Sequence, residues 1–410
     1  MKNAILILGG NALNVGVADI FRQLGYKIVV VDFRSRIGFG ADMHLRLDAT
    51  DPNVAHTVQA ECNFEIQGVY TSMDDAVLTQ KNICKAYGLL CAHDDALKSA
   101  HSKELMHKKW LDAGLLGRKS IALGVYRKKE FEQLSKKSTT IIIKPVDSCA
   151  SRGISILPSN ATEKELKNAF NMAQRASKAG VVNIEEFVEG QEYTVEMLGD
   201  NYGNIAIYGI SKKYHTNYTV NNKIAIKLHY NSTDIPVYVR KELAAFGQKC
   251  YSTLGLRNTF GHLEVIRKPN GELSPVELGA RSSGFIASHL AGAASGHNYL
   301  KDFIEVQHGA TVNDCLLAQG NVSAMYFFYD VPPNICSKKE TNLMNYINPE
   351  IKSVYYDRSK LLAGTVFKEL CQDTDRYGYE ILVGPATALT IAEVEKAENA
   401  FLKDFFSESA

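Results

Sequence analysis

Thr259-Phe-Gly-His-Leu-Glu-Val-Ile-Arg-Lys-Pro-Asn-Gly-Glu-Leu-Ser-Pro-Val-Glu-Leu-Gly-Ala-Arg281 is the stretch that decides how this chain is read. Two strand-like runs flank Asn270-Gly271, a dipeptide suited to the left-handed backbone of a tight hairpin turn. With those two residues as the turn, Pro269 faces Glu272, and counting outward sets Glu264 directly opposite Glu277. Carboxylates facing each other across a ladder repel. A divalent cation reverses that argument. Oxygen donors on two strands, with room for water and phosphate oxygens, suit magnesium carried by a nucleotide. A period of two then puts Glu277, Gly279 and Arg281 on one face, with His262 opposite Gly279. Arg281, one step beyond the carboxylates, is placed to stabilise negative charge on a transferring phosphoryl group or a tetrahedral adduct. An exposed hairpin with solvated glutamates is the plain alternative, and other segments decide between the two.

Thr140-Ile-Ile-Ile-Lys144-Pro145 reads as a buried strand ending in a lysine, followed by the small-residue loop Val146-Asp-Ser-Cys-Ala-Ser-Arg-Gly153 and a strand over Ile154–Leu157. Small side chains let backbone N–H groups turn towards an anion, and Lys144 adds a fixed charge. An ordinary hairpin loop has the same composition. Glu185-Glu-Phe-Val-Glu-Gly-Gln-Glu-Tyr-Thr-Val195 puts acidic residues at a strand end, then a glycine turn, then a strand from Glu192. A carboxylate leaving such a turn can accept both hydroxyls of a ribose, and backbone groups at Glu186–Val188 can pair with a purine edge. A charged turn on a solvated face is the alternative.

Outward from these segments, the chain has 410 residues, 45% hydrophobic and 22% charged, which predicts two or three packed units with a sizeable core. A formal net charge of +1 gives no electrostatic case for nucleic acid or an anionic membrane as partner. The eight cysteines are scattered without a CxxC pair and read as reduced, buried small residues. The apolar run Ala4–Leu8 stops at Gly9-Gly10-Asn11 and reads as a buried strand rather than a signal peptide. No stretch is long enough to span a bilayer, and the expected compartment is the cytoplasm.

The opening alternates strand and helix signals: Ala4–Leu8, Val15–Leu24, Lys27–Asp32, Gly68–Thr71 and Asp74–Tyr87 predict a parallel sheet covered by helices. A helix is predicted from about Ser102 to Ala113, capped by Ser102, with Leu105, Met106 and Trp110 on one face and His101 and His107 at its surface. From about Thr139 short strands (Thr140–Lys144, Ile154–Leu157, Val181–Glu185, Glu192–Leu198, Ile205–Ser211) and one helix, Glu163–Ala179, predict an α+β region. A third change comes near Val322, with strands Ser323–Asp330, Glu350–Tyr356 and Glu380–Gly384 and a closing helix Ile391–Phe406.

Taken in order, Lys103 on a helix, Lys144 with its loop, the Glu185–Glu192 turn and the carboxylate pair ending in Arg281 resemble the ATP-grasp superfamily, in particular its carboxylate–amine ligases, including L-amino-acid (dipeptide) ligases. The resemblance extends to Asp375-Arg376-Tyr377-Gly378-Tyr379, which is similar to a late R-x-G strand pair. It implies an α/β and α+β chain: a Rossmann-like N-terminal domain over 1–97, an ATP-grasp domain over 98–320 with a lid at about 118–188, and a C-terminal α+β part over 321–410. It further implies that Lys103 and Lys144 contact ATP phosphates. Ser148, Ser151, Arg152 and Gly153 belong to a lid loop over the triphosphate. Glu185, Phe187 and Val188 form the adenine hinge, Glu192 holds the ribose, and His262 joins the cofactor-binding set. Glu264 and Glu277 bind one or two Mg2+ ions, with Mn2+ an acceptable substitute, and Arg281 and Lys144 act in catalysis. Where many members carry Asn two residues after the second glutamate, this chain has Gly279, which leaves the second ion without that ligand.

The implied function is an ATP-dependent ligase that joins a small carboxylate, an amino acid by expectation, to an amine through an acyl phosphate. Partners are then small molecules, without nucleic acid or membrane, and a homodimer is the base-rate assembly. Ser211–Val220, His229 and Tyr230 are candidates for the substrate pocket, and Ser282-Ser283-Gly284 with His289 for an anion nest or a helix start. Rival readings are an ATP-dependent carboxylase or formyl-type transferase, a nucleotide-binding scaffold without catalysis, and a nicotinamide dehydrogenase. The last is prompted by Leu8-Gly9-Gly10-Asn11-Ala12-Leu13-Asn14-Val15-Gly16 and Asp32, whose glycines are not spaced G-x-G-x-x-G.

Overall fold

The computed structural model describes residues 2–115, 120–135, 139–148, 151–219, 222–283, 294, 297–313 and 321–406. Within the first hundred residues, β1 (Asn3–Leu8), β2 (Lys27–Val31), β3 (Met43–Leu45) and β4 (Glu65–Thr71) form a parallel sheet in the order β3-β2-β1-β4. The continuous apolar runs of β1 and β2 are buried because helices cover the sheet, among them α1 (Val15–Gln23), α2 (Ala55–Glu61) and α3 (Val77–Ala86). The start is Rossmann-like. Asp32, just past β2, accepts hydrogen bonds from Gly10 N–H at 2.7 Å and from Nε and Nη2 of Arg34 at 2.8 and 2.6 Å. The carboxylate that would hold a dinucleotide ribose is therefore already filled by the chain's own donors.

Two helices follow, α4 (Asp94–His101) and α5 (Lys103–Asp112), with the Ser102 hydroxyl capping α5 through Leu105 N–H. Met106 and Trp110 are buried as expected, and Trp110 Nε1 donates to the Cys250 carbonyl. Leu105 is instead 46% exposed, and His107 is buried rather than at the surface. The physical reason for His107 lies in the hairpin described below.

The second sheet is antiparallel: β5 (Ser120–Leu123), β6 (Thr140–Pro145), β7 (Ser155–Pro158) and β8 (Val182–Glu186), in the order β5-β8-β6-β7. It packs on α6 (Lys128–Ser135) and α7 (Glu163–Ala176) around Phe131, Ile141, Ile143 and Phe170. A capping box between Thr162 and Glu165 starts α7. The helix stops three residues before the predicted Ala179, because Asp147 takes the Ser177 hydroxyl and the N–H groups of Lys178 and Ala179. That carboxylate ties the start of the small-residue loop to the end of the helix.

The central sheet has eight strands in the order β13-β12-β9-β10-β11-β14-β16-β15. They are β9 (Gln191–Gly199), β10 (Ile205–His215), β11 (Ala225–Tyr230), β12 (Thr259–Arg267), β13 (Leu273–Gly279), β14 (Val322–Phe328), β15 (Lys352–Asp357) and β16 (Tyr379–Pro385). Helix α8 (Val237–Thr253) packs on β9, β10 and β13, and α9 (Tyr299–Gln307) joins the central sheet to the N-terminal sheet through Phe260, Phe303, Tyr70 and Ile5. Helix α10 (Ile391–Phe405) packs on β14 and β16. Neither β11 nor α8 was foreseen from the sequence.

The hairpin β12–β13 departs from the count made on the sequence. Arg267 pairs with Leu273, Ile266 with Ser274 and Val265 with Pro275, one residue off the predicted register. A β-bulge between Val265 and Glu264 absorbs Val276, after which Glu264 faces Glu277 and His262 faces Gly279 as expected. The Val276 carbonyl is hydrogen-bonded by His107 Nε2 at 3.2 Å, which is why a polar ring on α5 is buried.

No described helix is long and apolar enough to cross a membrane. Cys62, Cys84, Cys91, Cys250, Cys336 and Cys371 are free thiols. Cys84 and Cys250 are buried as expected, whereas Cys371 is exposed; Cys149 and Cys315 lie outside the described residues.

Candidate active site

A cleft opens between the second and central sheets. Its apolar walls are Ile142, Ile154 and Ile156 on one side and Ala225, Ile266 and Val276 on the other, with Phe187 and Val188 on the segment that joins β8 to β9. Polar groups enter from several elements: Lys103, Lys144, Ser148, Ser151, Arg152, Glu192, Lys213, His215, Glu264 and Glu277. The turn from hinge to β9 requires Gly190, which has φ +155 and where a Cβ would sit 2.3 Å from the Arg267 carbonyl oxygen.

The described ends of the loop after β6 combine an unpaired hydroxyl with left-handed turns. Ser148 Oγ is buried with no hydrogen-bond partner among the described residues. Ser151 (φ 57) and Gly153 (φ 71) both take the left-handed conformation, and a Cβ on Gly153 would lie 2.7 Å from Ala176 Cβ. Such turns direct backbone N–H groups into one concavity. Residues 149 and 150, the middle of the predicted lid loop, lie outside the described residues.

Lys103, first residue of α5, has Nζ 2.9 Å from Glu277 Oε2 and donates to the Ser148 carbonyl at 3.4 Å. Lys144 Nζ lies 2.7 Å from Glu185 Oε1. Glu185 is fully buried and does not line the cleft. Its expected place in the adenine hinge is corrected to a support under Lys144, since its carboxylate is turned inward to the Lys144 ammonium and the Asn183 amide at 2.6 Å. The Phe187 N–H is taken by the Thr140 carbonyl at 3.0 Å, so this residue presents its ring, with the Lys223 ammonium 5.2 Å from the ring centre.

Lys213 was noticed in the sequence only as part of a polar segment. Its Nζ bridges Glu192 Oε1 at 2.7 Å and Glu264 Oε1 at 2.6 Å, and His215 Nε2 lies 3.0 Å from Glu192 Oε2. The signal that could have found it is the period-two set Ser211, Lys213, His215 on β10. Of the other candidates there, Ser211, His229 and Tyr230 are buried in the sheet rather than at the cleft. Val220 lies outside the described residues, as do Gly284 and His289, while Ser282 is buried and hydrogen-bonded to the Tyr70 hydroxyl.

Each facing glutamate thus has its own ammonium. Burial pulls the Glu264 carboxyl up, but Lys213 and His262 outweigh it and the net shift is down. Lys103 holds Glu277 down against burial. Burial opposes the charge on Lys213, and Glu192 and Glu264 push its pKa well above the usual lysine range. Among the described residues no three His, Cys, Asp or Glu side chains form a ready-made metal-binding group. Two facing carboxylates, each compensated by a lysine, do form a pair of oxygen donors of the kind a divalent cation takes.

Arg281 does not line the cleft. Its guanidinium reaches the 3-10 turn Asp74–Ala76 that follows β4, with Nη2 2.6 Å from Asp74 Oδ2. Gly279 is explained by this contact: a Cβ there would lie 3.0 Å from Asp74 Oδ1 and 3.2 Å from Arg281 Cζ. His262 also stays off the cleft wall, with Nδ1 2.9 and 3.1 Å from the two oxygens of buried Glu196. Burial disfavours its charge, but Glu196 dominates and raises its pKa to about 9. A group with a raised folded pKa stabilises fully below its unfolded value, here 6.5, and loses that contribution as pH rises through about 9. The metal-free protein should therefore lose melting temperature between those two pH values. His262→Gln should flatten the decline, as measured by thermal unfolding across the range.

Residues 137–289 match the family model for the ATP-grasp domain. This segment is an ATP-grasp domain. Across the whole chain the fold is similar to solved structures. The L-amino acid ligase from Bacillus licheniformis has a TM-score of 0.73 at 15% identity, covering 99% of this chain and 97% of that one. Phosphoribosylglycinamide synthetase from Anaerococcus prevotii gives 0.68 at 17% identity, covering 98% of each. Biotin carboxylase from Campylobacter jejuni gives 0.68 at 13% identity, covering 98% and 94%. No curated protein matches. The matched segment holds Lys144, the small-residue loop, the connection from β8 to β9, Glu192, Glu264, Glu277 and Arg281, while Lys103 reaches Glu277 from α5 and Asp74 meets Arg281 from the turn after β4.

Proposed function

We propose that this chain is an ATP-dependent ligase that joins a small carboxylate to an amine and releases ADP and phosphate. The observation that carries the reading is the convergence of Lys103, Lys144, Glu192, Glu264 and Glu277, from five separate elements, on one cleft of an ATP-grasp domain. A carboxylate does not acylate an amine at neutral pH because oxide is too poor a leaving group. Attack of its oxygen on the γ-phosphorus of ATP breaks the bond to ADP and gives an acyl phosphate. The amine then attacks the acyl carbon, phosphate departs, and the amine gives up its extra proton.

The chain's part is positioning and charge. The hydrophobic slot takes the base, Glu192 the ribose hydroxyls, and Lys103, Lys144 and Ser148 the phosphates. Glu264 and Glu277 hold magnesium, which when bound supplies positive charge to the phosphate oxygens. Nucleotide arrival then exchanges partners: Lys103 leaves Glu277 for phosphate, and Lys213 leaves Glu264 while keeping Glu192. The reaction requires the cleft to exclude the water that would hydrolyse the acyl phosphate.

ATP with magnesium should raise the melting temperature by several degrees and NAD should not. The reverse would favour a dehydrogenase. An ADP-release screen over pairs of amino acids, other small acids and amines, with mass detection of products, tests the reaction. Bicarbonate and formate belong in the screen, and a requirement for either would redirect the reading to a carboxylase or formyl-type transferase.

A further inference from the structure

Glu192 lines the cleft with each of its oxygens already engaged by a side chain of β10. Lys213 Nζ stands 2.7 Å from Oε1, and His215 Nε2 stands 3.0 Å from Oε2. A period of two puts these donors on one face of β10, and Lys212 pairs with Tyr193, which sets the next residue of β10 beside Glu192. The Gln191 amide holds the same stretch by donating to the Lys213 carbonyl at 2.7 Å. Burial pushes the Glu192 carboxyl up, but Lys213 and His215 outweigh it and hold it well below the usual carboxylate range. An ionised carboxylate is an acceptor alone, with about four lone-pair sites. Two of them are taken, and among the described residues no other donor reaches this side chain, so one site stays open on each oxygen. Asp32 is the contrast. It accepts from Gly10 N–H, Arg34 N–H, Arg34 Nε and Arg34 Nη2, which leaves nothing for a hydroxyl.

We propose that His215 is a positioning residue for nucleotide recognition: with Lys213 it fixes Glu192 so that one oxygen is open to each of the 2′ and 3′ hydroxyls, and the cleft selects ribonucleotides over their deoxy forms. The proposal rests on the ATP reading given above. Two neighbouring hydroxyls of one sugar are two O–H donors side by side, and a carboxylate with one free site on each oxygen accepts both at once. Lys213 does not fix the carboxylate alone. Its ammonium also serves Glu264 Oε1 at 2.6 Å, the contact it gives up in the proposed reaction. His215 Nε2 has Glu192 as its one acceptor among the described residues and so supplies the fixed end. A deoxynucleotide leaves one carboxylate site unmatched, and a site built to pair with a hydroxyl rejects the ligand that lacks it.

The test is calorimetric titration of the full chain, with Mg2+ present, by ADP, 2′-deoxy-ADP and 3′-deoxy-ADP, which requires neither the acid nor the amine. The unaltered protein should bind ADP about tenfold or more tighter than either deoxy form. In His215→Leu the preference should fall below about threefold, chiefly through weaker ADP binding. His215→Gln, whose amide N–H replaces the Nε2 donor, should recover most of it. A merely structural role would weaken all three ligands alike, and that result overturns the proposal. So does a His215→Leu protein that keeps the full preference. Equal binding of the three nucleotides by the unaltered protein overturns it as well, and that measurement needs no variant to fold. In each of these cases ADP still binds and the ATP reading stands. If the unaltered protein binds none of the three, the ATP reading falls and this proposal falls with it.

Discussion

Glu277→Ala is expected to abolish amine-dependent ADP release while the protein stays folded, with turnover down by about 10³-fold or more, or about 4 kcal/mol of transition-state stabilisation. Two losses combine in this one change. In the proposed site the cation would lose a donor, and Lys103, 2.9 Å away, would lose the partner that holds it in the cleft. Positive charge fixed in advance against a transferring phosphoryl group is worth several kcal/mol because it needs no reorganisation during the reaction. Far-ultraviolet circular dichroism and melting temperature report the fold, and a coupled ADP assay reports turnover. Near-normal turnover would sink the metal assignment.

Arg281→Ala should lower kcat by about 10²–10³-fold with a smaller effect on KM for ATP. The guanidinium gives Nη2 to Asp74 and Nη1 to the Ser282 carbonyl at 3.0 Å, and Arg281 Nε has no partner among the described residues. Nε is the donor left for a substrate. Arg281→Lys should not restore the rate, because a single ammonium cannot reproduce the fixed contacts to Asp74 and the Ser282 carbonyl and still donate to a substrate. Asp74→Asn is the informative companion: it loosens the anchor but keeps the guanidinium, so a loss much smaller than that of Arg281→Ala is expected. An unchanged kcat in Arg281→Ala would remove the arginine from the chemistry.

Much of this site was legible in the sequence where chemistry and spacing coincide on one segment. Lys144 with its loop, Glu192 beyond its glycine turn, and the Glu264–Glu277 pair all reach the cleft or face each other as read. The pairing came out right although the turn count was one residue off, because the bulge at Val276 cancels the difference. Bulges leave no composition signal, so neither deviation could be seen in advance. What stayed hidden were partners brought from afar. Lys213 meets Glu264 across 51 positions and Asp74 meets Arg281 across 207, and no local pattern links either pair. Glu185 and His107 were misplaced for a related reason. Glu185 is held by Lys144 from the neighbouring strand and by Asn183 on its own, and His107 by the Val276 carbonyl of the hairpin, contacts that no spacing along the chain reveals.

The bulge has a further consequence for how the two halves of the site keep their alignment. His107 and Lys103 stand one helical turn apart on α5; the first grips the Val276 carbonyl and the second the carboxylate of the next residue. A ladder without Val276 would still bring Glu264 and Glu277 face to face, but the carbonyl that anchors the helix would be gone. The facing of the acids is set by the strands, while the surplus residue supplies the carbonyl that ties the helix carrying Lys103 to them. Relatives of this chain could therefore drift in turn length and keep the acid pair, whereas loss of the surplus residue would detach the lysine from it.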